Sequence, residues 1–280
     1  MSSFQFRTSR VQYMVRLFRT LCAMLVALNT LPALATEQVV SVPLSGGQSI
    51  ACLLTQKDGS QPAWVLVMMP GGDGRLDLTQ QPDGGITLRE KNNFLVRARG
   101  LIVDDRFATA IVDSPSDLPD GYTDRFRASS RHTQDIAEIA ADLKRRFPGA
   151  KLVLVGTSRG TISTAFAGRD LGSTWQAVIH TSTLSSPSRG QALPLAGFDY
   201  NAIQARQLFV HHADDACFLC SFDAAKRISV GHDFITVSGG NASGNPCKAM
   251  AHHGFNGQDA SVVAAIKAWI DGAAWPKEVN

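Results

Sequence analysis

The segment Lys151–Gly160, KLVLVGTSRG, carries the clearest fold signal in this sequence. Its first half is an apolar run rich in β-branched residues, which is typical of a strand buried on both faces of a sheet. The run ends in GTSRG at 156–160, and a helix-compatible segment follows. A buried strand, a glycine-flanked turn and a helix in that order indicate one unit of an α/β protein.

Similar apolar runs lie on both sides of this unit, separated by helical patterns. The predicted strands cover 38–44, 48–54, 63–69, 107–112, 152–155, 175–180, 208–211 and 234–237. The predicted helices cover 94–103, 130–147, 161–168 and 260–271. Ser-Gly-Gly joins the first two strands, which indicates a hairpin. Strands that alternate with helices after one hairpin predict a mainly parallel, doubly wound sheet with right-handed crossovers.

The N-terminus predicts a secretory signal peptide over residues 1–35. Residues 1–19 contain four arginines and no acidic residue, an apolar run follows over 21–31, and small residues stand at Ala33 and Ala35. The apolar run is shorter than the roughly 20 residues that a helix needs to cross a bilayer. We therefore expect cleavage near Ala35, export to the periplasm or the medium, no stable membrane anchor, and a single domain over 36–280.

The charge of the chain does not indicate nucleic-acid binding. The formal net charge is +3, but residues 1–35 hold four arginines and no acid, so the remainder carries about −1. The basic surface that a nucleic-acid partner requires is therefore not expected. With 44% hydrophobic and 18% charged residues, the composition is that of a globular domain.

Three polar motifs follow predicted strands, which is where doubly wound sheets bind their ligands. Ser158 follows the strand of KLVLVGTSRG, the pair Asp214-Asp215 follows the strand 208–211, and His252-His253 follows the last strand. A serine hydroxyl becomes a nucleophile when a neutral imidazole accepts its proton and a carboxylate orients that imidazole. These three motifs together predict a Ser-acid-His constellation at one edge of the sheet.

A fourth motif, PGGDG at 70–74, follows the predicted strand 63–69. Acyl transfer needs backbone N–H groups directed at the oxyanion of the tetrahedral intermediate. One is expected from Arg159, directly after the serine, and the other from Gly72 or Asp73. A phosphate-binding loop is excluded because no Gly-Lys-Ser/Thr follows these glycines.

With these four motifs, the sequence resembles the α/β-hydrolase superfamily, and within it exported bacterial proteins of the dienelactone-hydrolase-like or small serine esterase kind. The resemblance covers about residues 40–275, and the order serine, acid, histidine is that of this superfamily. It is carried by PGGDG, by GTSRG with its Gly-x-Ser-x-Gly pattern after a strand, by VHHADD at 210–215 and by HHGF at 252–255.

The resemblance also selects between neighbouring candidates. Related sequences place the acid in a His-Gly-x-x-Asp pattern and the base in His-Gly-Phe. These patterns favour Asp215 over Asp214 and His253 over His252. His211, at the end of its strand, is expected to be a packed, hydrogen-bonded histidine.

The function implied by the resemblance is that of a serine hydrolase that cleaves a small or polar carboxylic ester through an acyl-enzyme. Its catalytic residues would be Ser158, Asp215 and His253, its partner a small-molecule ester, and no cofactor is implied. The polar segment of about 26 residues before the strand near 207 predicts little or no cap. The alternatives are a thioesterase, a lactone hydrolase or a peptidase on the same fold, and a non-catalytic, ligand-binding pseudo-hydrolase.

Four cysteines follow residue 35, and an even number in an exported chain indicates disulfides. If the triad forms, its acid and base loops converge, which favours a disulfide between Cys217 and Cys247. Two alternatives compete with this pairing. The C-x-x-C of Cys217 and Cys220 has the spacing of a redox dithiol, and these cysteines with Cys247 and His252 have the chemistry of a zinc site. An oxidising compartment favours disulfides, so no metal is expected.

Several arginines lie in loops predicted at the carboxyl ends of strands. Arg75 and Arg131 are the candidates for binding a substrate carboxylate or phosphate by bidentate contacts, with Arg125, Arg127 and Arg159 nearby. The alternative is that these arginines are solvated charges of the loops and of a helix start.

Overall fold

A computed structural model describes residues 35–187 and 194–280 and places KLVLVGTSRG at the centre of the main sheet. The strands are β1 (Ala35–Pro43), β2 (Ser49–Lys57), β3 (Trp64–Met69), β4 (Thr79–Gln80), β5 (Ile86–Thr87), β6 (Phe107–Pro115), β7 (Lys151–Thr157), β8 (Ala177–Thr181), β9 (Arg206–His212), β10 (Asp233–Val237) and β11 (Glu278–Val279). The helices are α1 (Phe94–Ile102), α2 (Asp124–Arg127), α3 (Ser130–Arg146), α4 (Gly160–Asp170), α5 (Phe222–Ile228) and α6 (Asp259–Asp271).

The main sheet has nine strands in the order β1-β2-β6-β3-β7-β8-β9-β10-β11. The pairs β1–β2 and β2–β6 are antiparallel, and the other neighbours are parallel. The predicted fold class, a mainly parallel sheet opened by a hairpin, is therefore confirmed. Since the parallel strands point the same way, their carboxyl ends form one edge, where the predicted site residues lie.

Helices cover both faces of the sheet because successive strand side chains point to opposite sides. Val65 and Val67 of β3 lie in one apolar core with residues of α3 and α4, whereas Leu66 and Met68 lie in the other with residues of α1 and α6. The predicted apolar stripes of α3 and α6 are buried in these cores: Ile136, Ile139, Ala140 and Leu143, and Val262, Val263, Ile266, Trp269 and Ile270.

The predicted elements differ from the structure mainly at their ends, and the short helices α2 and α5 were not predicted. β6 continues three residues beyond its expected end, to Pro115, which pairs with Ile50 of β2. The short strands β4 and β5 lie in a region expected to be a loop, and β11 adds an unexpected parallel edge beside β10. Each of these three strands has two residues, which is too few to show an alternating pattern.

The described residues from Ala35 to Asn280 form one compact unit. The predicted signal peptide, apart from Ala35 at the start of β1, lies outside the described residues, and export stays a prediction. Between β8 and β9 the described chain has a single short 3₁₀ turn, Tyr200–Ala202, and no large cap; residues 188–193 are not described. In the described part, no helix combines the length and apolar character needed to cross a membrane.

Candidate active site

Ser158 lies on the turn between β7 and α4, in a backbone conformation that is unusual for serine. Its φ is +52°, in the left-handed region, which costs an L-residue about 1–2 kcal/mol. Hydrogen bonds hold the turn in place: the Ser158 N–H donates to Thr181 O (3.0 Å), and the Ser158 carbonyl accepts from the Thr161 N–H (2.9 Å) and hydroxyl (2.6 Å). A strained conformation held in this way is typical of functional sites.

The glycines on either side of Ser158 are required by close packing. A Cβ on Gly156 would overlap with the carbonyl group of Gly160, and a Cβ on Gly160 would overlap with the carbonyl oxygen of Met69 at the end of β3. The Gly-x-Ser-x-Gly pattern is therefore explained by the approach of α4 to β7 and β3 at this turn.

Asp215 and His253 form a hydrogen-bonded pair in which Nδ1 of His253 lies 2.8 Å from Oδ2 of Asp215. Asp215 also accepts the Cys217 N–H at Oδ1 (2.9 Å), and Nε2 of His211 lies 3.3 Å from its Oδ2. Burial by itself raises the pKa of Asp215, but the hydrogen bonds from His211 and His253 outweigh it and bring the pKa to about 2. The carboxylate is therefore ionised at neutral pH and holds a proton on Nδ1 of His253, which leaves Nε2 as the basic nitrogen.

Ser158 and His253 line the same open cleft at the carboxyl edge of the sheet. The buried thiol of Cys220 lies close to both residues. Its Sγ is 3.9 Å from the Ser158 hydroxyl and within 4.8 Å of a ring nitrogen of His253. The cleft is lined by Gly71, Gly72, Asp73, Glu90, Asn93, Phe94, Thr157, Ser158, Cys247, Lys248, Ala249, His253 and Gly254.

The side chains of the neighbouring candidates Asp214 and His252 do not take part in this arrangement. Nδ1 of His252 lies 3.3 Å from the backbone oxygen of Asp214, and its ring stacks on the ring of His212 at 4.2 Å. Among the described residues, neither side chain hydrogen-bonds Ser158 or His253. The geometry therefore favours Asp215 and His253, as the sequence patterns did.

The PGGDG loop passes directly beside Ser158. A Cβ on Gly71 would lie 3.0 Å from Cβ of Ser158 and 3.0 Å from Thr157 O, so a side chain here would force the loop and the serine turn slightly apart. Within the described chain, the N–H groups of Gly72 and Asp73 donate to no acceptor, and both residues line the cleft. Arg159 follows the serine, and its guanidinium lies 3.4 Å from Asp124. The unbonded N–H groups of Gly72 and Asp73 are therefore available at the cleft as hydrogen-bond donors.

The predicted disulfide between Cys217 and Cys247 is present and joins the loop of Asp215 to the loop of His253. The disulfide uses the thiols of Cys217 and Cys247, which are two of the four ligands of the alternative zinc site. Cys217 is also one of the two cysteines of the alternative C-x-x-C dithiol, so that dithiol is not formed. Cys52 and Cys220 are free and buried. Burial raises the pKa of both thiols, so neither is a thiolate at neutral pH.

Replacing Cys217 and Cys247 together with serine is expected to lower the free energy of unfolding by about 3.5 kcal/mol, because the loop between them is no longer closed in the unfolded chain. Denaturant unfolding under non-reducing conditions measures this change. Adding a reductant to the wild-type protein should have a similar effect and should leave the stability of the double variant unchanged. Equal stabilities of wild type and double variant would contradict the expectation.

The structure does not bring Arg75 or Arg131 to the cleft. Arg75 lies 2.7 Å from Asp77, and Arg131 forms a bidentate pair with Asp117 at 2.7 and 2.8 Å. Neither lines the cleft, so the structure adds no support for their predicted role in substrate binding. The cleft instead contains Lys248, whose side chain pairs with no described acidic residue.

Two arginines support the loops of the site through backbone contacts that the sequence did not predict. Arg97 donates to Ala249 O (3.2 Å) and Gly254 O, on either side of His253. Arg127 is fully buried beneath the PGGDG loop. The cluster of arginines in the loops before α3 drew attention to Arg127 as a candidate site residue. The direction of its side chain could not be predicted, because that direction depends on contacts with distant segments.

The fold matches solved structures of hydrolases. A serine hydrolase without a lid from Xanthomonas campestris is 11% identical with a TM-score of 0.57, over 86% of this chain and 97% of that one. Est1E from Butyrivibrio proteoclasticus is 12% identical with a TM-score of 0.57, over 84% and 98%. A dienelactone hydrolase from Anabaena variabilis is 14% identical with a TM-score of 0.56, over 85% and 98%.

These comparisons establish the fold of the chain. No protein-family model and no curated protein matches its sequence. The sheet order, the helices on both faces and the structural matches together show that the protein has the α/β-hydrolase fold, in a form without a large cap among the described residues.

Proposed function

We propose that the protein is a serine hydrolase that cleaves a carboxylic ester of a small or polar substrate. The observation that carries the proposal is the convergence on one cleft of Ser158 at φ +52° and the hydrogen-bonded pair of His253 and Asp215. The unbonded N–H groups of Gly72 and Asp73 at the same cleft support it.

In the proposed reaction, the Ser158 hydroxyl oxygen attacks the carbonyl carbon of the ester while Nε2 of His253 accepts the hydroxyl proton. The ionised Asp215 stabilises the imidazolium, and the N–H groups of Arg159 and of Gly72 or Asp73 donate to the oxyanion. The imidazolium then protonates the leaving alcohol, which departs and leaves an acyl-enzyme. Water, deprotonated by His253, hydrolyses that intermediate and regenerates the serine.

The shape and chemistry of the cleft support small or polar substrates. No large cap covers it in the described chain, and Glu90, Asn93 and Lys248 line its walls. A long acyl chain would leave much of its apolar surface in water here, so its burial would contribute little to binding. A lactone hydrolase is the second candidate, because one structurally similar protein is a dienelactone hydrolase and a lactone is a cyclic ester.

A fluorophosphonate probe tests the proposal directly. We expect one probe per protein, located by peptide mapping on Ser158, and faster hydrolysis of p-nitrophenyl acetate and butyrate than of the palmitate ester. The heat-unfolded protein is the control and should not react. Hydrolysis of a matching thioester, a lactone and a peptide anilide is measured in the same way to compare these bonds with the ester. Labelling of another residue, or no labelling and no hydrolysis, would contradict the proposal and favour a non-catalytic, ligand-binding protein.

A further inference from the structure

Arg127, the last residue of α2, is a buried cation whose burial the rest of the fold does not explain. Its side chain has no exposed surface, and its guanidinium packs over the ring of Tyr122 at 4.6 Å. Among the described residues, no carboxylate forms an ion pair with it. Since a buried charge is costly unless polar groups compensate it, the contacts of this guanidinium indicate what it does.

The guanidinium of Arg127 binds the loop that approaches Ser158. Nη2 donates to Pro70 O (3.0 Å) and to Gly72 O (3.4 Å). Nη1 donates to the hydroxyl of Ser163 on α4 (2.9 Å), which lies 2.8 Å from Nε2 of His132 on α3. Arg127 therefore connects the PGGDG loop to the two helices beneath it.

Each of the four carbonyl groups of residues 70–73 accepts a hydrogen bond. Arg127 holds those of Pro70 and Gly72, the Gly74 N–H holds that of Gly71 (3.2 Å), and the Tyr122 N–H holds that of Asp73 (2.7 Å). The C=O and N–H of a trans peptide unit point in opposite directions. The contact of Arg127 with Gly72 O therefore directs the Asp73 N–H away from Arg127, whereas the Gly72 N–H is directed away from the Gly74 N–H that binds Gly71 O.

Gly74 shows how closely the loop is fitted to the guanidinium. Its φ is +67°, and a Cβ there would lie 2.5 Å from Nη2 of Arg127 and 2.7 Å from Cδ2 of Tyr122. The loop thus closes on Arg127 without space for any side chain at this position.

We propose that Arg127 is a positioning residue for the oxyanion hole: by holding the carbonyl groups of Pro70 and Gly72, it fixes the PGGDG loop and directs the Asp73 N–H towards the cleft. This inference rests on the proposed serine-hydrolase function. The oxyanion forms only in the transition state and the tetrahedral intermediate. Losing the orientation of its donors therefore lowers kcat and has little effect on KM.

The test compares Arg127→Met, Arg127→Lys and the control Arg206→Met. Arg206, at the start of β9 and away from the carboxyl edge, makes contacts of the same kind: it donates to Trp269 O (3.0 Å) and Ile270 O (3.3 Å) and packs over the Trp269 ring at 4.3 Å. Turnover of p-nitrophenyl acetate is expressed per site titrated with fluorophosphonate, so that misfolded protein is not counted, and thermal unfolding is recorded for each variant.

We expect kcat per titrated site to fall about 10²-fold in Arg127→Met with KM within about twofold of wild type. Arg127→Lys should be intermediate, because an ammonium keeps the charge but lacks the fork that reaches two carbonyl groups and Ser163. Arg206→Met should match wild type. If Arg127→Met does not fold, the intermediate kcat of Arg127→Lys carries the same test.

A kcat in both Arg127 variants within about threefold of wild type, whatever their thermal stability, would overturn the proposal and leave Arg127 with a structural role only. That result is distinct from failure of the proposed function, in which the wild-type protein itself neither hydrolyses esters nor reacts with fluorophosphonate.

Discussion

Replacing Ser158 with alanine is expected to lower kcat for p-nitrophenyl acetate about 10⁶-fold, because no other group in the proposed mechanism forms the acyl bond. Alanine at φ +52° carries the same left-handed strain as serine, so the free energy of unfolding should change little. Stopped-flow and steady-state hydrolysis measure the first quantity, and denaturant unfolding measures the second.

The matched control for this variant is Ser229→Ala. Ser229 is a buried serine whose hydroxyl donates to Lys226 O at the end of α5, away from the cleft. We expect wild-type turnover from it. Hydrolysis by Ser158→Ala at the rate of Ser229→Ala would mean that Ser158 is not the nucleophile. The buried thiol of Cys220, 3.9 Å from the Ser158 hydroxyl, would then be the next residue to replace.

Replacing Asp215 with asparagine is expected to lower kcat about 10⁴-fold while leaving the fold intact. The Cys217 N–H donates to Oδ1 of Asp215, so the amide oxygen of asparagine takes that position. The amide nitrogen then stands where Oδ2 stood and faces Nδ1 of His253. An N–H donor there moves the imidazole proton from Nδ1 to Nε2, and His253 can no longer accept a proton from Ser158.

Asp214→Asn is the control for Asp215→Asn, because the two acids are adjacent and the sequence allowed either. Asp214 is exposed and has no hydrogen bond to His253 among the described residues, so its replacement should change kcat less than about twofold. The kcat of each variant is measured with the same ester at saturating concentration. A loss in Asp214→Asn as large as that in Asp215→Asn would contradict the assignment of the acid.

The candidate site depends on contacts that cross between distant segments. The disulfide joins the Asp215 loop to the His253 loop, and Arg97 on α1 holds the backbone on both sides of His253. Arg127 on α2 holds the PGGDG loop. Each proposed functional group thus lies on a loop whose backbone is bonded to another element. Such bonding holds the loops of the cleft, which no large cap covers among the described residues.

Eight strands, four helices and the sheet class could be predicted from the sequence because their signals are local. The apolar run before Ser158, the stripe of α3 and the stripe of α6 each record which side of an element faces the core. The motifs after the strands could be predicted for a related reason. Parallel strands carry their carboxyl ends to one edge, so the positions of Ser158, Asp215 and His253 along the chain imply that they meet.

The surroundings of Ser158 were decided by the tertiary structure. KLVLVGTSRG by itself determined a buried strand, a turn that requires glycines, and a serine at its apex. Only the folded chain placed Cys220 beside that serine, directed Arg127 beneath the PGGDG loop and paired Arg131 with Asp117 away from the cleft. A loop side chain points towards the partners that satisfy its charge and its hydrogen bonds, and these partners come from distant segments. The local pattern of apolar and polar residues contains no information about such partners.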